Sequence, residues 1–314
     1  MAIGSNEPGT RRVELATTGA RAATLAALKS SSHRDKVIHI VFTSMMLLAL
    51  AAALIGLLSL IVFMAVRGGP RLEWGLITGV PSTISPETAG FRTAILGTLY
   101  VIGGVIVLIV PLGVGAAVYL EEYADNSKWW NRVIELNIQN LAGVPSIVFG
   151  ILGLAFIVRG PLSIGFVAAA GSLTLALLVL PTVILAGREA IRAVPPSITD
   201  GSLALGATRW QTIKGQVLPA AIPGILTGII LAVARAIGEA APLLLVGAVT
   251  FVTFNPKFLA DGYSTLPVMI FQYANRPQDE FRVLAAAGVI VMLILVLLMN
   301  SLAVWLRDRF ERRW

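Results

Sequence analysis

The sequence predicts an all-α integral membrane protein with six transmembrane helices. Two observations lead there. Of 314 residues, 56% are apolar and only 13% are charged, whereas a soluble domain has about 45–50% and about 25%. Six stretches also approach the roughly 20 apolar residues a helix needs to cross a hydrocarbon core of about 30 Å. They are 38–66, 93–118, 141–158, 162–186, 222–250 and 283–306. The chain has no cysteine and two histidines, which excludes a disulfide scaffold and argues against a metal centre. In a membrane protein the formal charge of +7 reads as an orientation signal, not as a nucleic-acid footprint.

The elements follow in order. Residues 1–37 are polar and carry six basic side chains, so they read as a cytoplasmic tail. The apolar run that follows is too long for the core of a secretory signal, and no small-residue cleavage site closes it. The loop 67–92, with Pro70, Pro81 and Pro86, is expected to be irregular. Segment 127–140 spaces Trp130, Val133, Ile134 and Ile138 as a helix would, with Lys128 and Arg132 among them; this suits a short helix lying at the membrane surface. Arg159-Gly160-Pro161 is expected to be a tight turn between the third and fourth spans. Stretch 251–282, with Pro256, Pro267 and Pro277, has enough material for a docking surface. Residues 307–314 form a basic tail. With the N-terminus inside, sixteen Lys and Arg fall in the inside segments and seven in the outside ones. That imbalance puts both termini in the cytoplasm.

The loop 187–221 then lies inside, between the fourth and fifth spans. Ser197-Ile198-Thr199-Asp200 reads as the start of a short helix, since small polar residues cap helix N-termini. Leu203, Leu205, Trp210 and Ile213 give it a partly apolar surface. Gly206 is expected to turn the chain into a second short helix, and Pro219 and Pro223 to mark re-entry into the membrane. Within the six spans only Arg235 and Glu239 are charged. Arg235 is near the midpoint of 222–250, and four residues place Glu239 about 6 Å further along the same face. A central Arg costs about 2.5–3.5 kcal/mol on insertion scales, so such a pair normally faces the bundle interior or a wet cavity. It is either a substrate site or a structural ion pair. Gly224 and Gly228 form a GxxxG that permits close helix packing; it reads either as a subunit interface or as a coincidence in a glycine-rich chain.

The loop resembles the conserved cytoplasmic loop of ATP-binding-cassette importer permeases: Glu-Ala-Ala, three residues, Gly, nine residues, Ile, one residue, Leu-Pro. Here Asp200-Gly201-Ser202 stands for the triplet, Gly206 follows after three residues, and nine more lead to Gln216 and then Leu218-Pro219. The spacing is intact; the triplet and the Ile are replaced. Segments 97–124, 140–154, 203–225 and 234–244 are together similar to phosphate-importer permeases, above all Gly-Glu-Ala-Ala-Pro-Leu-Leu at 238–244 and Tyr-Leu-Glu-Glu-Tyr at 119–123.

The resemblance implies a type I importer permease fold in a bacterial plasma membrane. It implies that Asp200, Gly201, Ser202, Leu203, Leu205, Gly206, Ala207, Thr208 and Trp210 belong to coupling helices seated in a cleft of an ATPase subunit. It also implies that Arg235 and Glu239 match an Arg and a Glu of phosphate permeases. Arg235 would hold phosphate through paired hydrogen bonds, and Glu239 would keep the empty site near neutral. The implied partners are a second permease subunit, two ATPase subunits and an external phosphate-binding protein.

None of the five Lys follows a Gly, so no Gly-Lys-Ser/Thr phosphate loop exists. No catalytic triad or carboxylate cluster stands out either. Mg-ATP is therefore expected on the separate ATPase subunits, with no cofactor and no catalysis in this chain. A permease for sulfate or molybdate is the nearest alternative. An ion-coupled secondary transporter would need repeated broken helices, and none is visible.

Overall fold

A computed structural model describes residues 33–125, 127–248 and 251–310, and among them there are helices and no strand. The proposed tail 1–37 lies outside the described residues up to 32, and the last four residues lie outside them as well. The chain divides into two units, Met1–Phe63 and Met64–Trp314. In the first, the described residues belong to helix α1 (His33–Gly68), which has no charged residue between Lys36 and Arg67. The second contains the remaining helices and the last turn of α1.

Among the described residues, five helices are long and apolar enough to cross a membrane, or six if one bent pair counts as a single span. α2 (Trp74–Thr78) follows a tight 3₁₀ turn at Gly69–Arg71, so the 67–92 loop is more ordered than its prolines predict. α3 (Arg92–Val118) continues into a π-turn, Tyr119–Tyr123. The predicted surface helix exists as α4 (Trp129–Ala142). It meets α5 (Ser146–Leu152, extended by a π-turn Gly153–Val158) at 108°. The predicted third span 141–158 is therefore not one helix: Gly143 and Pro145 break it, and Ser146–Val158 alone, about 20 Å long, is shorter than the membrane core. α6 (Ala168–Arg192) begins six residues later than the predicted fourth span. Pro161 and the left-handed Ser163 (φ 43°) and Gly165 (φ 79°) keep 162–167 out of the helix.

α7 (Pro196–Ala204) is followed by α8 (Arg209–Thr212), which runs through a π-turn at Ile213–Val217 into α9 (Leu218–Gly238). The second helix of the loop is thus the first turn of a 30-residue element, Arg209–Gly238. Pro219 lies in the first turn of α9 and does not interrupt the run. The predicted span 222–250 is not one helix. A proline clashes with the carbonyl four residues before it, and Pro242 does this to Gly238, where α9 stops. A short helix α10 (Ala241–Leu245) then packs on α5, where Gly150 lies against Pro242. α11 (Leu266–Ala274) and α12 (Asp279–Phe310) complete the chain. Residues 307–310 thus belong to α12 and not to a tail.

The main core joins α3, α5, α6, α9 and α10 through Val105, Ile109, Phe149, Leu175, Ala236 and Leu243. Small residues let the helices approach. A methyl on Gly224 would fall 2.6 Å from Ala190 Cβ, and one on Gly228 would collide with Ala186. The GxxxG therefore seats α9 on α6 of the same chain. A second cluster joins α2, α11 and α12, with Phe91 edge-on to Tyr273 at 5.8 Å and Tyr273 stacked on Phe281 at 5.5 Å. Its helices strap down the 79–91 loop. Arg71 Nη2 donates to Pro86 O (2.8 Å), Arg276 Nη1 to Thr83 O (2.6 Å) and the Tyr273 hydroxyl to Ser82 O (3.2 Å). Burial pushes the Tyr273 phenol up to about 12, so it stays protonated and able to donate.

Candidate substrate path and coupling surface

Arg235 and Glu239 do form a pair: Arg235 Nε lies 3.5 Å from Glu239 Oε1. Their setting differs from the expectation. Arg235 is in the last turn of α9, about 26 Å along the helix from Leu218, and Glu239 is the extended residue that caps its C-terminus (φ −79°, ψ 117°). The pair therefore marks a helix break, not a helix midpoint. The last carbonyls of a helix carry a partial negative charge that favours a cation there. Arg235 is held on one side by that end and by Glu239, yet its side chain is 45% exposed. With Thr227, Leu231 and Gly238 it lies on the exposed stripe of α9, while Ala232, Val233, Ala236 and Ile237 on the other side are buried. A guanidinium so placed can still offer N–H donors to a planar or tetrahedral oxyanion.

The 187–221 loop forms two helices joined at Gly206, whose φ of +86° is a conformation that favours glycine. The first helix starts one residue earlier than predicted: Pro195 is the N-cap and Pro196 the first residue, and no side chain caps it. The second has the cap that was not foreseen. Thr208 Oγ1 accepts from Gln211 N (3.3 Å) and Gln211 Oε1 accepts from Thr208 N (2.8 Å), a reciprocal capping box. Asp200, Gly201, Leu203, Leu205, Gly206, Thr208 and Trp210 are exposed, and Ser202 and Ala207 half-buried. Leu205 is 92% exposed and Trp210 56%. Ile213 is not part of that surface; it is fully buried beside Ala117, Ile191 and Val217. Ser202 Oγ and Thr212 Oγ1 are hydrogen-bonded at 2.9 Å, tying the two helices together.

One cluster was missed from the sequence. Arg188, 5% exposed, donates through Nε to Glu121 Oε2 (3.3 Å) and through Nη1 to Glu135 Oε1 (2.9 Å). Arg192 grips Glu121 with Nε (2.8 Å) and Nη2 (2.9 Å). The available signal was acids at 121 and 122 ending an apolar run on a face rich in cations. Arg188 and Arg192, in the last two turns of α6, were the natural partners of Glu121.

Comparisons with known proteins agree with this architecture. The family described as "Binding-protein-dependent transport system inner membrane component" matches residues 109–314. The chain is 37% identical over 267 residues to the phosphate transport system permease protein PstA of Yersinia pestis, covering 82% of this chain and 87% of that one. It is 35% identical over 271 residues to the probable ABC transporter permease protein YqgI of Bacillus subtilis (strain 168), covering 82% and 90%. Among solved structures, a chain of a bacterial alginate ABC transporter bound to its pentasaccharide-loaded periplasmic protein gives a TM-score of 0.62 at 15% identity. It covers 86% of this chain and 96% of that one. A chain of the inward-facing MetNI methionine ABC transporter gives 0.57 at 18%, covering 76% and 97%. These structural likenesses show the fold, and the sequence relatives show the lineage: the chain belongs to the family of binding-protein-dependent transport system inner membrane components.

Proposed function

We propose that this chain is a permease subunit of an ATP-driven importer of inorganic phosphate in a bacterial inner membrane, with both termini in the cytoplasm. The observation that carries the reading is Arg235, a half-exposed cation on an otherwise uncharged helix face, beside a break in the helix. It recruits phosphate oxygens by charge-assisted hydrogen bonds, while Glu239 offsets the charge when the site is empty and weakens the hold when it is full. Binding must be strong enough for entry and weak enough for exit. The relatives named PstA favour phosphate over other oxyanions.

The work comes from outside the chain. Leu203, Leu205 and Trp210, with Asp200, Gly201, Ser202, Gly206, Ala207 and Thr208 shaping the helices that carry them, form the knuckle on which a partner ATPase pushes. Exposed leucine and tryptophan on a polar inner face call for an apolar cleft to cover them. Two ATPase subunits (PstB-like) bind Mg-ATP, a second permease (PstC-like) completes the path, and an external binding protein (PstS-like) delivers phosphate. This chain itself catalyses no hydrolysis.

The test is Arg235→Gln in the complete transporter, with assembly monitored separately. Losing the charged donors lowers phosphate uptake by about 10-fold or more, while the complex still assembles. Unchanged phosphate uptake by an intact complex removes Arg235 from the path. Sulfate uptake in place of phosphate by the unmodified complex reassigns the cargo.

A further inference from the structure

α3 is held at both ends by groups that the coupling surface alone does not require. Its inner end is the π-turn Tyr119–Tyr123, a rare local geometry often found at functional positions. From this turn Glu121 takes the paired donors of Arg192 and one donor of Arg188. Arg192 is the last residue of α6, three residues before the Pro195 cap of α7, so Glu121 holds the chain as it enters the loop. Two residues on, the Tyr123 ring lies 5.3 Å from Arg209 Cζ. Arg209 opens α8, so Tyr123 holds the chain as it leaves the loop. Beneath both, Ala117 and Val118 of α3 pack with Ile191, Ile213 and Val217 in one buried cluster. One turn of α3 thus grips both stems of the loop.

The far end of α3 is fixed just as firmly to the segment between α10 and α11. Thr93 Oγ1 donates to Val252 O (3.0 Å), Thr98 Oγ1 accepts from Leu266 N (2.9 Å), and Gly97 lies against the Ser264 carbonyl too closely for any side chain. All three α3 residues are buried. From Thr98 to Glu121 the helix measures about 35 Å.

We propose that α3 is a transmission rod, with Glu121 and Tyr123 as positioning residues that make it move with the 187–221 loop and carry that movement to the 251–266 segment. This rests on the coupling role proposed above for the loop. Energetic coupling between remote sites needs an element whose arrangement both sites bias, and a helix bonded at each end meets that requirement. Glu121 suits the inner end because a bidentate Arg–carboxylate pair fixes direction as well as distance. Tyr123 suits it because a cation held over a ring follows the ring without a covalent tie.

The experiment uses the whole transporter in liposomes, with its ATPase, second permease and binding protein. It compares ATP hydrolysis with and without phosphate-loaded binding protein outside. Glu121→Gln and Tyr123→Leu are expected to assemble and keep basal hydrolysis. Stimulation by the loaded binding protein should fall by about 5-fold or more, the scale of a typical allosteric coupling. Tyr123→Phe keeps the ring and should keep the stimulation. Full stimulation in both Glu121→Gln and Tyr123→Leu overturns the proposal, and so does failure of both to assemble, which would make the clamp structural. Leu205→Asp serves as the control for the loop itself. If it leaves hydrolysis and its stimulation intact, the coupling role of the loop fails. If it abolishes stimulation while Glu121→Gln does not, only the rod fails.

Discussion

Two arginines in this chain show how differently the same side chain is treated. Arg235 has the Glu239 carboxylate beside it and remains half exposed, as the substrate role proposed for it requires. Arg188 is enclosed, with Glu121 and Glu135 taking its donors. Losing Arg188 removes two ion-pair bonds made by one buried side chain; Arg192 still holds Glu121, and Glu135 loses its arginine. Arg188→Met should therefore lower the melting temperature of the purified protein clearly, whereas Arg235→Gln should leave it within about 1 °C for an effect near 0.3 kcal/mol. Thermal melts in detergent compare the two directly. The sequence announces Arg235 and Glu239 because four residues along a helix make neighbours. Its spacing does not pair Arg188, whose acids are 53 and 67 positions away; only the matching of acids and cations at helix ends on one face points to that cluster.

Helices obey their breakers more than their hydropathy. The count of apolar residues found the five long membrane helices and part of a bent sixth, yet it ran the fifth through to 250, across the stop that Pro242 imposes on Gly238. It also started the fourth at 162, six residues early, where Ser163 and Gly165 take left-handed angles. Both errors treat a run of apolar residues as a helix without asking where each amide hydrogen goes. The GxxxG of α9 shows the converse: its spacing suggests a subunit interface or a coincidence, and the fold instead seats it on Ala186 and Ala190 of α6 in the same chain. Gly228→Leu should force α9 off α6 and destabilise the protein by about 1–3 kcal/mol, the usual range for overpacking, visible as a lower melting temperature. Thr208→Ala removes one half of the capping box and should loosen the start of α8 by about 1 kcal/mol. Faster amide exchange at Gln211, whose N–H loses its acceptor, is the check.

For the molecule as a whole, the proposed sidedness is open to a clean test because the chain has no cysteine. Leu205 is 92% exposed at the tip of the 187–221 loop, and Ile84 is 88% exposed in the strapped 79–91 loop. A single cysteine in place of Ile84 should react with a membrane-impermeant thiol reagent in intact cells. One in place of Leu205 should react only after permeabilisation. Reversed labelling would invert the topology and put the knuckle beyond reach of any ATPase. The helix end at Gly238 bears on performance. On the proposed path, an anion at Arg235 would also meet the partial negative charge at the C-terminal end of α9 and the Glu239 carboxylate, so its well would be shallow. Shallow wells suit traffic, not storage; in the proposed transporter, scavenging a scarce nutrient from dilute surroundings would fall to the external binding protein.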